Sequence, residues 1–166
     1  MKAVSPGNTG NDAVLKTEPG AAGVDLDYAR QVIRSEAQAV ASLEARIGAA
    51  FKATIELILQ LGASGRVVLT GMGKAGIVSQ KIAATFASTG TPALFMHPAE
   101  AVHGDLGMAT SQDVVLAISN SGETEELLRL MPTLRHIRCK LVAITATKDS
   151  SLGRASDVVL EIGHIE

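Results

Sequence analysis

Residues 66–98 read RVVLTGMGKAGIVSQKIAATFASTGTPALFMHP, and their order decides the fold. The apolar run Val67–Thr70 is too short for a stable helix and reads as a strand buried on both faces. It breaks at a glycine-rich turn, Gly71 to Gly76. Helical spacing follows at Ile77, Val78, Ile82 and Phe86. Gly90 stands where that helix ends, and Pro92 opens a second strand, Ala93–His97. Strand, helix, strand in this order predicts a right-handed crossover joining parallel strands.

The same alternation continues downstream. Strands are expected at Val114–Ser119, Leu141–Thr145 and Val158–Ile162. Leu127, Leu130, Met131 and Leu134 fall at i, i+3, i+4 and i+7, one face of a helix. The fold class is therefore α/β, a three-layer α/β/α sandwich around a five-stranded parallel sheet. Upstream, Ile33, Ala37, Val40, Leu43, Ile47, Phe51, Ile55, Ile58 and Leu61 recur at steps of three and four. That spacing predicts one long amphipathic helix, or two divided at Gly48. Asp25 or Asp27 caps its start, and Gly62 with Gly65 closes it. So long a stripe ahead of a sheet is expected to pack on a partner chain. Residues 1–23 hold glycines and prolines without periodicity and read as a disordered tail. The expected organisation is a tail over 1–23, helices over 24–65 and the α/β domain over 66–166.

Composition narrows the function classes. The 166 residues carry 15 Lys and Arg against 17 Asp and Glu, a net charge of −2. Nucleic acid and anionic membrane both need a basic face, so neither is the expected partner. Hydrophobic residues make up 46%, too many for a disordered chain. No apolar run approaches the ~20 residues of a membrane span, and Met1 to Gly23 has no apolar signal region. A lone cysteine, Cys139, excludes an intrachain disulfide framework. The expectation is a soluble, cytoplasmic domain.

In parallel sheets of this kind ligands bind at the carboxyl ends of the strands, where three polar loops fall. The loop after the third strand, Ser119-Asn-Ser-Gly-Glu-Thr-Glu-Glu126, offers three hydroxyls and a close-turning glycine. A helix is expected to begin near Glu123, and free amides at a helix N-terminus suit a phosphate dianion. An ordinary N-cap would also favour Ser or Thr, but it needs only one hydroxyl. Glu123, Glu125 and Glu126 can complement the helix dipole, and Glu126, one turn in, can also serve as a base.

The loop Gly71–Gly76 matches G-x-G-x-x-G, which raises a dinucleotide site. The second strand ends in Met96-His97, however, where an acidic residue should hold the ribose. Lys74 either reaches a bound ligand or is a solvated surface lysine. The loop after the second strand gathers His97, Glu100, His103 and Asp105. Zinc ligation, proton transfer and a His–Asp bond that stiffens the loop are all open to it. His136, Arg138 and Cys139 fall at the far end of the fourth strand and read as structural. Thr145 to Ser150 can wall the site.

At these loops the sequence resembles the sugar isomerase (SIS) domain family, and more closely its D-arabinose 5-phosphate isomerases. The resemblance rests on Thr70–Gly76, Lys81–Pro92, His97–Gly107, Ser119–Glu126 and Ala143–Thr145, and runs over about residues 30–166. It implies interconversion of D-ribulose 5-phosphate and D-arabinose 5-phosphate through an enediol. In Gram-negative bacteria that reaction feeds 3-deoxy-D-manno-octulosonate and lipopolysaccharide synthesis. Lys74, His103 and Glu126 match the family's catalytic positions. Gly73, Gly90, Thr91, His103, Ser119, Asn120, Ser121, Gly122 and Thr124 match substrate-binding positions. His97 matches a position credited with a zinc ion not needed for turnover, so no cofactor is required. A homotetramer follows by the same analogy.

Two departures accompany the resemblance. Many SIS domains place Ser where Ala75 stands. Family members also continue past the last strand with a Glu, an Ala-Cys-Pro segment, a further His and usually a pair of cystathionine β-synthase domains. The sequence stops at Glu166, at or one residue short of that Glu, so the second catalytic acid, the distal His and part of the phosphate site are expected to be absent. A non-catalytic phosphosugar-binding module or an inactive truncated isomerase is the alternative.

Overall fold

The computed structural model describes residues 25–163. The expected tail over 1–23 and the chain end at Glu166 lie outside the described residues. The chain divides into two compact units after Ala37. Helix α1, Leu26–Ser42, opens in the first unit. Its start is capped by Asp25, whose Oδ1 accepts the N–H groups of Asp27 and Tyr28 at 2.9 and 3.0 Å.

In the second unit a 3-10 turn at Glu44–Arg46 leads to α2, Ala49–Leu59. Gly48, with extended backbone, is the α2 N-cap and so divides the long stripe into two helices. Strand β1 (Val67–Gly71), α3 (Gly73–Ser88) and β2 (Ala93–Phe95) form the first crossover. They are followed by α4 (Pro98–Val102), a 3-10 turn at Asp105–Met108, and β3 (Val114–Ile118). The chain then runs through α5 (Glu125–Ile137), β4 (Lys140–Thr145), α6 (Ser151–Ala155) and β5 (Val158–Glu161).

The five strands lie in the order β2-β1-β3-β4-β5, and every pair is parallel. Val67 is in register with Ala93 on one side and Val114 on the other. Side chains alternate across the sheet, so each central strand feeds two cores. Val67, Leu69, Val114, Leu116 and Val142 pack with α2 and α3 through Leu57, Ile58, Ala83 and Phe86. Val68, Val115, Ala117, Leu141 and Ala143 pack with α5 and α6 through Leu127, Leu130, Leu134 and Leu152. This is the expected three-layer sandwich.

Three expectations need correction. Burial on both faces holds for the central strands β1, β3 and β4 but not for β2 and β5, whose residues are only half-buried. They are the edges of the sheet, each with one strand neighbour. β2 also stops at Phe95 rather than His97, because Pro98 takes the first position of α4 and makes His97 its N-cap. Lastly, α5 starts at Glu125, not near Glu123. Gly122 sits at φ +66°, a left-handed backbone that delays the helix until Thr124 can act as N-cap.

Candidate phosphosugar site

The order of the strands places a crevice before any side chain is considered. Chain progression reverses between β1 and β3, and such reversal points open a crevice beyond the carboxyl ends. Gly71 pairs with Ile118 at the last rung of β1 and β3. The segments Met72-Gly73-Lys74 and Ser119-Asn120-Ser121 therefore leave the sheet side by side, with strands about 4.8 Å apart.

On the β1 side, α3 comes close to its strand. A Cβ on Gly76 would stand 2.7 Å from the Gly71 carbonyl oxygen, and one on Gly71 would stand 2.9 Å from Ser79 Oγ. The glycines of this turn serve helix–strand packing, and Gly73 adds a positive φ of 56°. Lys74 is the second residue of α3 and is exposed at the rim. Thr70 is fully buried just below, and its hydroxyl has no hydrogen-bond partner among the described residues.

On the β3 side, the loop is organised around its own hydroxyls. Ser119 Oγ and Thr124 Oγ1 lie 2.8 Å apart, and Ser119 Oγ accepts the Gly122 N–H at 3.0 Å. Ser121 Oγ accepts the Glu123 N–H at 3.2 Å. Ser119 is buried, while Asn120 and Ser121 are exposed. Glu126 is the second residue of α5 and half-buried, so the late helix start keeps its carboxylate at the rim. Two hydroxyls, loop amides and a helix N-terminus converge here, a donor set suited to a phosphoryl group.

Glu123 behaves differently from its two acidic neighbours. Its Oε1 accepts the N–H of Ser151, the first residue of α6, at 2.7 Å. That backbone bond, a further bond to the Ser151 side chain and the Arg154 guanidinium hold its carboxyl below the ordinary glutamate value. By sequence it can complement the α5 dipole; in the structure its carboxylate is bonded to the start of α6. Nothing local signals this contact.

The β2–α4 side contributes histidines with separate tasks. His97 is half-buried, and its Nδ1 accepts the Ala99 N–H at 3.3 Å as the cap of α4. Its ring meets Phe95 edge-on, the centroids 6.2 Å apart. The stiffening role open to it is met by this cap rather than by Asp105. His103 closes α4 and is exposed, with Gly104 behind it at φ +146°. Among the described residues no three His, Cys, Asp or Glu side chains gather closely enough to hold a metal ion, around His97 or elsewhere.

Gly90 and Thr91 are the residues that the structure does not bring to this rim. They precede β2, and the Thr91 N–H donates to the Phe86 carbonyl at the end of α3. The carbonyl of the next residue, Pro92, accepts the N–H of Val67 at the start of β1. Both therefore lie at the amino ends of the strands, roughly 17 Å from the crevice for a five-residue strand. The crossover helix forces this, because it must return the chain to the start of the next parallel strand.

An apolar cavity of about 420 Å³ lies elsewhere in the second unit, among Leu43, Ile47, Phe51, Ile144, Leu160 and Ile162. It contains none of the loop residues described above. No helix among the described residues is long and apolar enough to cross a membrane.

Comparison with known proteins agrees with this geometry. Residues 60–164 match the SIS domain family. Arabinose 5-phosphate isomerase KdsD of Yersinia pestis is 49% identical over 139 residues, covering 83% of this chain and 42% of that protein. The KdsD protein of Pseudomonas aeruginosa is 51% identical over 140 residues, with 82% and 42% covered. The chain thus spans about two fifths of the length of these curated relatives. Among solved structures, the E. coli CFT073 c3406 protein in complex with arabinose 5-phosphate superposes with a TM-score of 0.72 at 40% identity. That match covers 84% of this chain and 74% of the other. With the sheet order, the glycine turn and the hydroxyl loop all in place, the chain belongs to the SIS domain family.

Proposed function

We propose that this SIS domain binds a pentose 5-phosphate and serves the aldose–ketose interconversion of D-ribulose 5-phosphate and D-arabinose 5-phosphate. The observation that carries the reading is the 2.8 Å pairing of the Ser119 and Thr124 hydroxyls at the start of α5. They anchor the phosphate with the loop amides, and Glu126 follows two residues after Thr124. The reaction moves a proton between adjacent carbons and needs a base, an acid and a cation near the oxygens. Glu126 takes the C1 proton of the ketose, leaving an enediolate, and returns a proton to C2 to give the aldose. Lys74, in the first turn of α3 across the crevice, stabilises the negative oxygen as it forms. His103 exchanges the hydroxyl protons between O1 and O2. Gly73, Asn120, Ser121 and Gly122 line the same crevice as substrate contacts. No metal enters this scheme.

The names of the KdsD relatives support the choice of sugar. In a Gram-negative cytoplasm the product would supply lipopolysaccharide synthesis. Exposed Ile47, Ile55 and Leu59 support assembly with further copies of the chain, a tetramer by analogy with the family. The test is proton NMR of the 166-residue chain with D-ribulose 5-phosphate in heavy water. The expected result is D-arabinose 5-phosphate carrying deuterium at C2. A chain that binds the phosphosugar without exchange is a binding module, and one that does neither overturns the reading.

A further inference from the structure

The turn between β4 and α6 grips the hydroxyl loop through a row of hydrogen bonds. The Ala146 N–H and the Thr145 hydroxyl both donate to the Asn120 carbonyl, at 2.9 and 3.2 Å. The Leu152 N–H donates to the Gly122 carbonyl at 2.9 Å. The Ser151 N–H donates to Glu123 Oε1 at 2.7 Å. Of these acceptors only Glu123 is a side chain, and it is the charged one, which makes its bond the stronger kind. The bond holds that carboxylate at the first turn of α6, beside the Arg154 guanidinium. Meanwhile the Glu123 N–H is held by Ser121 Oγ. Both ends of the residue are thus fixed, one by the loop and one by the neighbouring turn.

We infer that Glu123 is a positioning residue, which locks the Ser119–Thr124 loop to the first turn of α6 and so pre-sets its donors for a phosphoryl group. This rests on the phosphosugar reading of the same loop. Preorganisation raises affinity by removing the ordering cost from the binding step. Glu123 itself touches no substrate in this scheme.

The bond can be cut from either side. Glu123→Ala removes the acceptor. Ser151→Pro removes the donor, and proline suits the site: Ser151 is the first helical position, and Ser150 before it has φ −67° and ψ 162°. Glu123→Gln keeps an oxygen acceptor and is the conservative rescue. The measurement is the Kd for D-arabinose 5-phosphate by calorimetry, at a temperature where every variant is folded, with unphosphorylated D-arabinose as control. Expected are a roughly tenfold weaker Kd for Glu123→Ala and for Ser151→Pro, and no further loss when the two are combined. Glu123→Gln should stay within about threefold of the wild type. Wild-type affinity in both Glu123→Ala and Ser151→Pro overturns the positioning role and leaves the phosphosugar reading standing. A wild-type chain that does not bind the sugar phosphate overturns both.

Discussion

Gly122 lies against Ser150 so closely that a Cβ on the glycine would overlap the serine hydroxyl and its Cβ. The backbone there also has φ +66°, which costs an L-residue about 1–2 kcal/mol. Gly122→Ala should therefore destabilise the domain by about 2–4 kcal/mol, strain and overlap together. Urea unfolding measures it. Adding Ser150→Gly removes the overlap with Ser150 but leaves the Thr145 hydroxyl 2.8 Å from the new Cβ and the backbone strain in place, and it takes the cap from α6, so it should recover only part of the loss. Full recovery would show that the left-handed turn itself costs nothing.

Glu126 is the base in the proposed reaction, and Glu126→Gln keeps its shape without its proton affinity. Deuterium incorporation from heavy water should fall by about 10²–10⁴-fold. The Kd for D-arabinose 5-phosphate should move by less than about threefold, because the phosphate is held by other groups. A variant that still exchanges at the wild-type rate removes Glu126 from the mechanism.

Thr70 hides a hydroxyl with no partner among the described residues, in the sheet beneath the crevice. Leaving such a group unsatisfied costs about 1–3 kcal/mol, whereas a valine of the same shape leaves nothing unpaired. Thr70→Val should raise Tm by about 3 °C. A lower Tm would mean that the hydroxyl finds a partner in solution, such as a trapped water.

Most of the layered fold is legible because apolar period and glycine position repeat from strand to strand. Val67–Thr70 and Leu141–Thr145 need no context to be read as buried strands. The rim is legible for the same reason: a glycine-rich turn carrying Lys74 follows β1, and the polar stretches His97–Asp105 and Ser119–Glu126 follow β2 and β3. What escapes is long-range. Glu123 and Ser151 are 28 residues apart, and an acidic residue at a helix start already has a sufficient local explanation in the dipole. The end of β2 escapes because Met96 and His97 continue its apolar pattern, and only the preference of Pro98 for a first helical turn cuts it short. Gly90 and Thr91, matched by resemblance to substrate-binding positions, lie away from this rim because the residues before a strand sit at its amino end.

The Glu123 carboxyl is held below its ordinary value by the Ser151 bond, so acid should loosen this contact before it unfolds the core. With a lowered folded pKa, the unfolded state takes up the proton first as pH falls. Stability from this group is then complete above the ordinary glutamate range and is lost as pH drops through the lowered value. The wild type and Glu123→Gln should therefore differ by a constant amount in urea midpoint above the ordinary glutamate range, and converge only as pH falls through the lowered value. A constant difference down to pH 3 would show that the charge contributes nothing.

Cys139 shows the opposite sign. It is buried before β4, its Sγ donates to the Thr110 carbonyl at 3.2 Å, and burial together with Asp113 raises its pKa. The folded protein keeps the proton when the unfolded chain has lost it. Stability should fall as pH rises past the ordinary thiol value of about 8.5. Cys139→Ser retains a donor to Thr110 and does not titrate there, so its urea midpoint should drop less between pH 8 and 10. The same burial predicts that a thiol reagent modifies Cys139 only as fast as the domain opens, since the thiolate is the reacting form. Rapid labelling of the native chain at pH 8, in the absence of urea, would contradict both expectations at once.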